Sequence, residues 1–279
     1  MGVVFALASS LVWGTADFFG GLFTKRIVAL RVVVLSQCGG LIAMSLLMIV
    51  EVARNGWSGG PWWLWGGLSG LVGGLGLCSF YAALSSGVMG VVSPIAALGA
   101  VVPVALGLLT GDRLGLVVGL GLALALAGAA LASGPELSGA ASRRSVLLAV
   151  AAAIGLGLSL YFLHQASGHG VVPSLWAMRV ASVSELALVW WCWPGGVPGG
   201  RAQARVIPLL MLVGCGDLAA NGLFALASRH GAVSVVSVLG SLYPVATLVL
   251  ARVFLHERLR PVQLVGVALA LVGVILAVS

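Results

Sequence analysis

Three acidic residues lie inside long apolar runs, where a charged side chain is costly to insert. Asp17 lies in the first run, and Glu185 and Asp217 lie near the middle of two later runs. A carboxylate at the centre of a membrane helix costs about 2.5–3.5 kcal/mol on insertion scales, so it normally faces the bundle interior and serves a function. Such groups can bind a cation, or exchange a proton as their surroundings alternate between dry and wet.

Helical spacing gives two of these acids a polar or aromatic neighbour. Trp13 precedes Asp17 by four residues, and Asp217 precedes Asn221 by four, so each pair shares one helix face. An aromatic ring beside a carboxylate suits a cationic or zwitterionic ligand. The alternative for each acid is a structural role, as a helix cap or a hydrogen bond across the bundle. We predict a site for substrate binding or proton coupling that contains Trp13, Asp17, Tyr161, Glu185, Asp217 and Asn221.

The remaining reactive side chains do not form a catalytic or metal-binding pattern. No pair of histidines has metal-ligand spacing, and the four cysteines lie singly in apolar runs without a CxxC motif. We therefore expect neither a metal nor a cofactor. Arg179 lies six residues before Glu185 on a largely different helix face, so we predict that it anchors its helix at the lipid headgroups and forms no salt bridge.

The composition identifies the kind of protein that positions these residues. Of 279 residues, 61% are hydrophobic and 8% are charged, which is too few charges to cover the surface of a soluble domain. The net charge of +7 comes from Lys and Arg placed singly or in pairs at helix ends, which indicates contact with headgroups rather than nucleic acid. We expect a multi-pass protein of the cell membrane, a bacterial inner membrane, whose partners are the bilayer and a small molecule, as a monomer or a homodimer.

Apolar runs of membrane-spanning length recur along the whole chain, with short links between them. The sequence predicts ten transmembrane helices near residues 3–23, 28–50, 62–84, 88–109, 114–133, 145–166, 171–193, 206–228, 232–255 and 261–278. We assign residues 1–279 to a single all-α membrane domain. It consists of a five-helix repeat at 1–133, a link at 134–144 and a second five-helix repeat at 145–279.

The two halves of the chain repeat one another. Three pairs of segments correspond in the two halves. They are Val91-Val92-Ser93 with Val235-Val236-Ser237, Asp112-Arg113-Leu114 with Glu257-Arg258-Leu259, and the glycine pair Gly121 and Gly128 with Gly266 and Gly273. Because each half holds an odd number of crossings, the copies must enter the membrane upside down relative to each other. Inverted repeats of this kind are an architecture of secondary transporters.

Prolines and glycines mark irregular and closely packed helices. We predict that Pro94 and Pro103 interrupt helix 4 and that Pro244 interrupts its repeat mate, helix 9, so that these breaks line a midplane cavity. Simple kinks without a binding role are the alternative. The four-residue spacings Gly66-Gly70-Gly74 and Gly115-Gly119 predict two faces where helix backbones approach closely.

Several of these features together resemble the EamA-like branch of the drug/metabolite transporter superfamily, over essentially the whole chain. They are Trp13-Gly14, Arg31, Arg179 and the proline-containing helix 9 that leads into Glu257-Arg258-Leu259. The first repeat departs from the family pattern, with Asp112 for the usual glutamate and no proline at Gly99. The resemblance implies ten helices in two inverted halves, a central cavity, and transport of small metabolites or drugs.

Two indicators of orientation disagree. The family usually has both termini in the cytoplasm, whereas the positive-inside rule places the odd-numbered links there. Those links hold most of the basic residues, namely Lys25, Arg26, Arg31, Arg143, Arg144, Arg201, Arg205, Arg258 and Arg260, against Arg54, Arg113 and Arg229 at the even-numbered links. The orientation stays open.

The sequence favours a non-enzymatic secondary transporter that exports a small metabolite or drug by alternating access, with proton coupling as a hypothesis. One rival is an intramembrane aspartyl protease, since Gly214-Cys215-Gly216-Asp217 matches a GxGD string and Asp17 could supply the second acid. The Tyr-Asp dipeptide and the proline-alanine-leucine string of that family are absent from this chain. A channel is the other rival, although the sequence shows no ring of filter residues.

Overall fold

The computed structural model describes residues 1–24, 27, 29–86, 92, 95–133, 142–192, 204–254 and 260–278. Described residues of the first half form α1 (Gly2–Thr24), α2 (Ala29–Asn55), α3 (Trp62–Ser86), a 3₁₀ turn (Leu98–Ala100), α4 (Val101–Thr110) and α5 (Leu116–Ala132). Those of the second half form α6 (Arg143–Ser167), α7 (Val171–Cys192), a 3₁₀ turn (Ala204–Val206), α8 (Ile207–Ser228), α9 (Val233–Gly240), α10 (Tyr243–Phe254) and α11 (Pro261–Val278).

These helices make up ten apolar segments. Eight spans are long and apolar enough to cross a membrane, and Ile95–Thr110 and Leu116–Ala132 are shorter apolar helices. The all-helical prediction and the ten-segment count are therefore confirmed. The ninth span is broken, since α9 ends at Gly240 and α10 begins at Tyr243. Pro244 lies in the first turn of α10, where its missing N–H disturbs no helical hydrogen bond.

The packing of the helices is the same when the two halves are exchanged. The contact of α1 with α8 has its counterpart in the contact of α6 with α3, and the contact of α2 with α8 has its counterpart in that of α7 with α3. Helices at equivalent positions in the two repeats also pack on each other, namely α2 on α7 and α5 on α11. On α5, Gly121 faces Ala277 of α11, whereas Gly128 faces Ala270, so these two mates run antiparallel. Antiparallel mates are what a two-fold axis perpendicular to the helices produces, in agreement with an inverted repeat.

Close backbone approach explains some of the predicted glycine faces but not all. A Cβ on Gly66 would lie 2.5 Å from the Ser174 carbonyl oxygen, and one on Gly121 would lie 2.5 Å from the Ala277 nitrogen. By contrast, no atom of the described part of the chain lies within 4 Å of a Cβ placed on Gly115 or Gly119. The predicted packing face at Gly115-Gly119 is therefore wrong. The spacing shows only that two glycines share a face, and not that another helix covers it.

The two halves contact each other at the terminal face, defined as the face of the bundle where the chain begins and the even-numbered links lie. There the Asp112 carboxylate, in the link after α4, accepts hydrogen bonds from Ser234 N–H at 3.0 Å and Ser234 Oγ–H at 2.7 Å in the first turn of α9. Gly2 of α1 also approaches the His230 carbonyl oxygen, because a Cβ there would lie 2.9 Å from it. The two halves are thus joined at this face.

Candidate functional site

A cavity of about 570 Å³ lies between the two halves. Its described lining comes from both halves and is mainly apolar and small, and it lies toward the face opposite the terminal face. Toward that opposite face it reaches Phe80 in the C-terminal part of α3, Ser133 at the C-cap of α5 and Gln263 in the first turn of α11. The charged residues among the described lining are Asp17, Arg179 and Asp217.

Asp217, in the middle of α8, is the centre of a polar network. Its Oδ1 accepts a hydrogen bond from Trp13 Nε1 of α1 at 3.0 Å, and its Oδ2 accepts one from an Arg179 guanidinium nitrogen of α7. Asn221, one turn further along α8, donates to the Asp217 backbone oxygen at 2.8 Å. Both carboxylate oxygens of Asp217 are therefore held by neighbouring helices.

Arg179 is a buried ion-pair partner, and the predicted role as a headgroup anchor is wrong. Its side chain is 3% exposed, against 33% for Asp217. A second guanidinium nitrogen donates to Gln37 Oε1 of α2, and Ser182 Oγ donates to the same oxygen at 3.2 Å. Spacing along α7 could exclude a partner on that helix only, whereas the partner of Arg179 lies on α8.

Asp17 lies on the cavity wall, and its carboxylate has no hydrogen-bonding partner among the described residues. It is exposed, and the part of the chain that the structure describes donates no hydrogen bond to its carboxylate. Trp13 lines the same wall and its ring packs against Phe224 with centroids 5.9 Å apart. Asp17 and Asp217 are not hydrogen-bonded to each other, unlike the proton-sharing acids of an aspartyl protease.

Of the other four predicted site residues, three lie away from the cavity and one lies outside the described residues. Tyr161 is buried and its hydroxyl accepts a hydrogen bond from Gln165 Nε2 at 2.9 Å. Glu185 faces Gly74 of α3, and both of its carboxylate oxygens are buried without a described partner. Pro103 is buried in the first turn of α4, and Pro94 lies outside the described residues.

The structure brings together Trp13, Asp17, Asp217 and Asn221, with Pro244 on the same cavity wall. It adds Gln37, Arg179 and Tyr243, which the sequence analysis did not assign to the site. Gln37 is an uncharged amide within an apolar run, which was a usable signal. Tyr243 is the first residue of α10, so its place on the wall depends on the break between α9 and α10.

The repeat does not duplicate the acids. Gly14 of α1 and Gly157 of α6 occupy equivalent positions in the two repeats. Gly14 approaches the backbone carbonyl oxygen of Tyr243 in the second half, and Gly157 approaches that of Gly99 in the first half. In that register the residue equivalent to Asp17 is Leu160. The packing is therefore two-fold, whereas the charge in the cavity is not.

The described residues hold no group of three or more His, Cys, Asp or Glu side chains that could bind a metal ion. Cys38, Cys78 and Cys215 are free.

Comparison with known proteins identifies the family. The sequence model of the EamA-like transporter family matches residues 1–134 and again residues 143–279, which confirms the two-repeat prediction. No curated protein matches the chain. A solved crystal structure, titled only as that of a protein, is 20% identical with a TM-score of 0.75, covering 99% of this chain and 96% of that chain, which shows a shared fold. The chain therefore belongs to the EamA-like transporter family of the drug/metabolite transporter superfamily, and it is a multi-pass membrane transporter rather than an enzyme.

Proposed function

We propose that this transporter exports a small organic molecule by alternating access, and that the cavity between the halves is its substrate site. The observation that supports this proposal most directly is a cavity that is lined by both halves and reaches toward one face, while Asp112 and Ser234 join the halves at the other face. A pathway open toward one side at a time is what alternating access requires, and inverted repeats supply the two states by exchanging the roles of the halves.

The polar network ties the site to the relative position of the halves. Trp13 and Gln37 belong to the first half, while Arg179 and Asp217 belong to the second. A rocking motion between the halves would change these hydrogen bonds. Substrate at Asp17 can then favour one arrangement over the other, because a ligand shifts a conformational equilibrium only through its different contacts in each state.

Transport should be visible as exchange across a sealed membrane. A thermal-shift screen of amino acids, nucleobases, sugars and organic amines first identifies a compound that stabilises the purified protein. We expect liposomes that contain the protein and are preloaded with this compound to accumulate its labelled form by counterflow. The initial rate should saturate with concentration. A linear rate without counterflow would indicate a channel and contradict the proposal.

Proton coupling is proposed for the acids within the spans. If Asp17 and Asp217 exchange protons as substrate binds and leaves, flux driven by a pH gradient should lose that drive in Asp17→Asn or Asp217→Asn, while counterflow at saturating substrate and without a gradient persists. Glu185→Gln tests in the same way whether the acid outside the cavity contributes. Wild-type dependence on the pH gradient in all three variants would show that these acids have structural roles.

A further inference from the structure

The acidic and basic residues on the described cavity wall are unequal in number. Asp17 and Asp217 are the acidic residues of the described lining, and Arg179 is its one basic residue. Because Arg179 is paired with Asp217, Asp17 is the acid of the described wall that has neither an ion-pair partner nor a described hydrogen-bond donor. An ionised acid in an apolar cavity gains much from a cation that supplies the missing partner.

The strongest hydrogen-bond donors on the described wall already have acceptors, which disfavours an anion. Trp13 and Arg179 both donate to Asp217, and Asn221 donates to the Asp217 backbone. Ser241 and Thr247 likewise donate to backbone oxygens, at 2.8 Å and 3.0 Å. Among the residues that the structure describes on the wall, a substrate carboxylate would thus meet two acids and no free positive group, because Arg179 is paired and almost completely buried. The same deficit applies to the carboxylate end of a zwitterion.

The rest of the wall suits an apolar body. Aliphatic and small side chains predominate, and the aromatic residues Trp13, Phe80 and Tyr243 contribute to the lining. Aromatic faces attract an organic cation through the ring quadrupole and also provide apolar contact for its hydrocarbon part.

We infer that the cavity selects a lipophilic organic monocation, a protonated or quaternary amine on an apolar body, and that Asp17 is its counter-ion. This inference rests on the proposed function, since it names the substrate class of the same cavity. It chooses the cation over the zwitterion because the only arginine on the described wall is already paired.

A probe series with one apolar body and different charges tests the inference directly. Calorimetric titration of the full-length protein in detergent at neutral pH should show binding of phenethyltrimethylammonium and 2-phenylethylamine. Phenylalanine should bind at least about tenfold more weakly, and 3-phenylpropionate should not bind measurably. Asp17→Asn should weaken phenethyltrimethylammonium at least about tenfold, because the quaternary ammonium carries its charge at every pH.

Glu51→Gln is the matched control, since this acid of α2 lies outside the described cavity lining and hydrogen-bonds Asn55. It should leave binding of phenethyltrimethylammonium unchanged. Equal affinity for the cation and the propionate, or unchanged affinity in Asp17→Asn, would overturn the inference. Saturable counterflow of an anion would overturn the cation inference and leave the transport proposal intact. Cation binding without counterflow would support the cation inference and contradict the transport proposal.

Discussion

At the scale of single residues, Asp217 and Asp17 differ in what the fold gives them. Asp217 neutralises Arg179, which is 3% exposed and could not stay charged at that position without a partner. Asp17 neutralises nothing in the described structure and is exposed to the cavity. One acid is therefore built into the fold, and the other is available to a ligand.

This difference predicts opposite effects of one chemical change at two nearby positions. Asp217→Asn should destabilise the protein by about 1–3 kcal/mol, because it leaves Arg179 buried without its counter-charge. Asp17→Asn should leave stability unchanged or raise it slightly. Thermal unfolding of the two variants in detergent measures the difference, and equal shifts in Tm would contradict the assigned roles.

A second substitution should separate the charge effect from the loss of hydrogen bonds. Arg179→Gln combined with Asp217→Asn removes both partners, so the buried charge disappears along with its counter-charge. We expect the double variant to be more stable than Asp217→Asn alone, measured in the same unfolding experiment. Additive destabilisation would indicate that the ion pair is not the relevant interaction.

The sequence was sufficient to identify the two acids as candidate site residues, but it did not predict the ion pair between Arg179 and Asp217. Asp17 and Asp217 were predicted because an acid in an apolar run is costly. Arg179 was assigned to the headgroups because periodicity relates residues on one helix only. Its partner lies across a helix interface, and no single-helix pattern contains that information.

At the scale of helices, the crossing of α5 and α11 fixes how closely the two repeats approach. A Cβ on Gly121 would lie 2.5 Å from the Ala277 nitrogen and 2.8 Å from the Gly273 carbonyl oxygen, both of which are backbone atoms. Neither can move without moving the helix. A methyl group at position 121 would therefore push the two helices apart.

Gly119, two residues earlier on α5, provides the matched comparison, because nothing lies within 4 Å of a Cβ placed on it. Gly119→Ala should be neutral or stabilising by up to about 1 kcal/mol, since Ala is the better helix former. Gly121→Ala should lower the Tm in spite of that gain. The measurement is thermal unfolding of both variants, and a Tm at or above wild type for Gly121→Ala would contradict the close packing.

Helices were easier to predict than their contacts. The ten apolar segments followed from run length and the repeat followed from residues such as Gly121 and Gly128, because hydrophobicity and duplication are local in the sequence. The break between α9 and α10 begins at Gly240, upstream of the proline that predicted it. The open environment of Gly119 depends on which faces neighbouring helices cover, which the sequence does not state.

At the scale of the whole molecule, the central claim is that closure at one face accompanies opening at the other. Asp112 and Ser234 join the halves at the terminal face, and Ser237 lies buried one turn deeper on α9. Ala251 of α10 lines the cavity toward the opposite face. Ser237 and Ala251 therefore lie toward opposite faces of the bundle, on the two sides of the cavity centre.

Cysteine accessibility at the two ends measures that claim most directly. With the native cysteines replaced by alanine, Ala251→Cys should react quickly with a water-soluble maleimide and Ser237→Cys slowly. Asp112→Ala removes both hydrogen bonds from Ser234, so it should raise the rate at Ser237→Cys roughly tenfold and lower the rate at Ala251→Cys. Arg113→Ala, an exposed change in the same link, should alter neither rate. Rates that rise together at both ends, or that do not respond to Asp112→Ala, would contradict alternating access controlled at this contact.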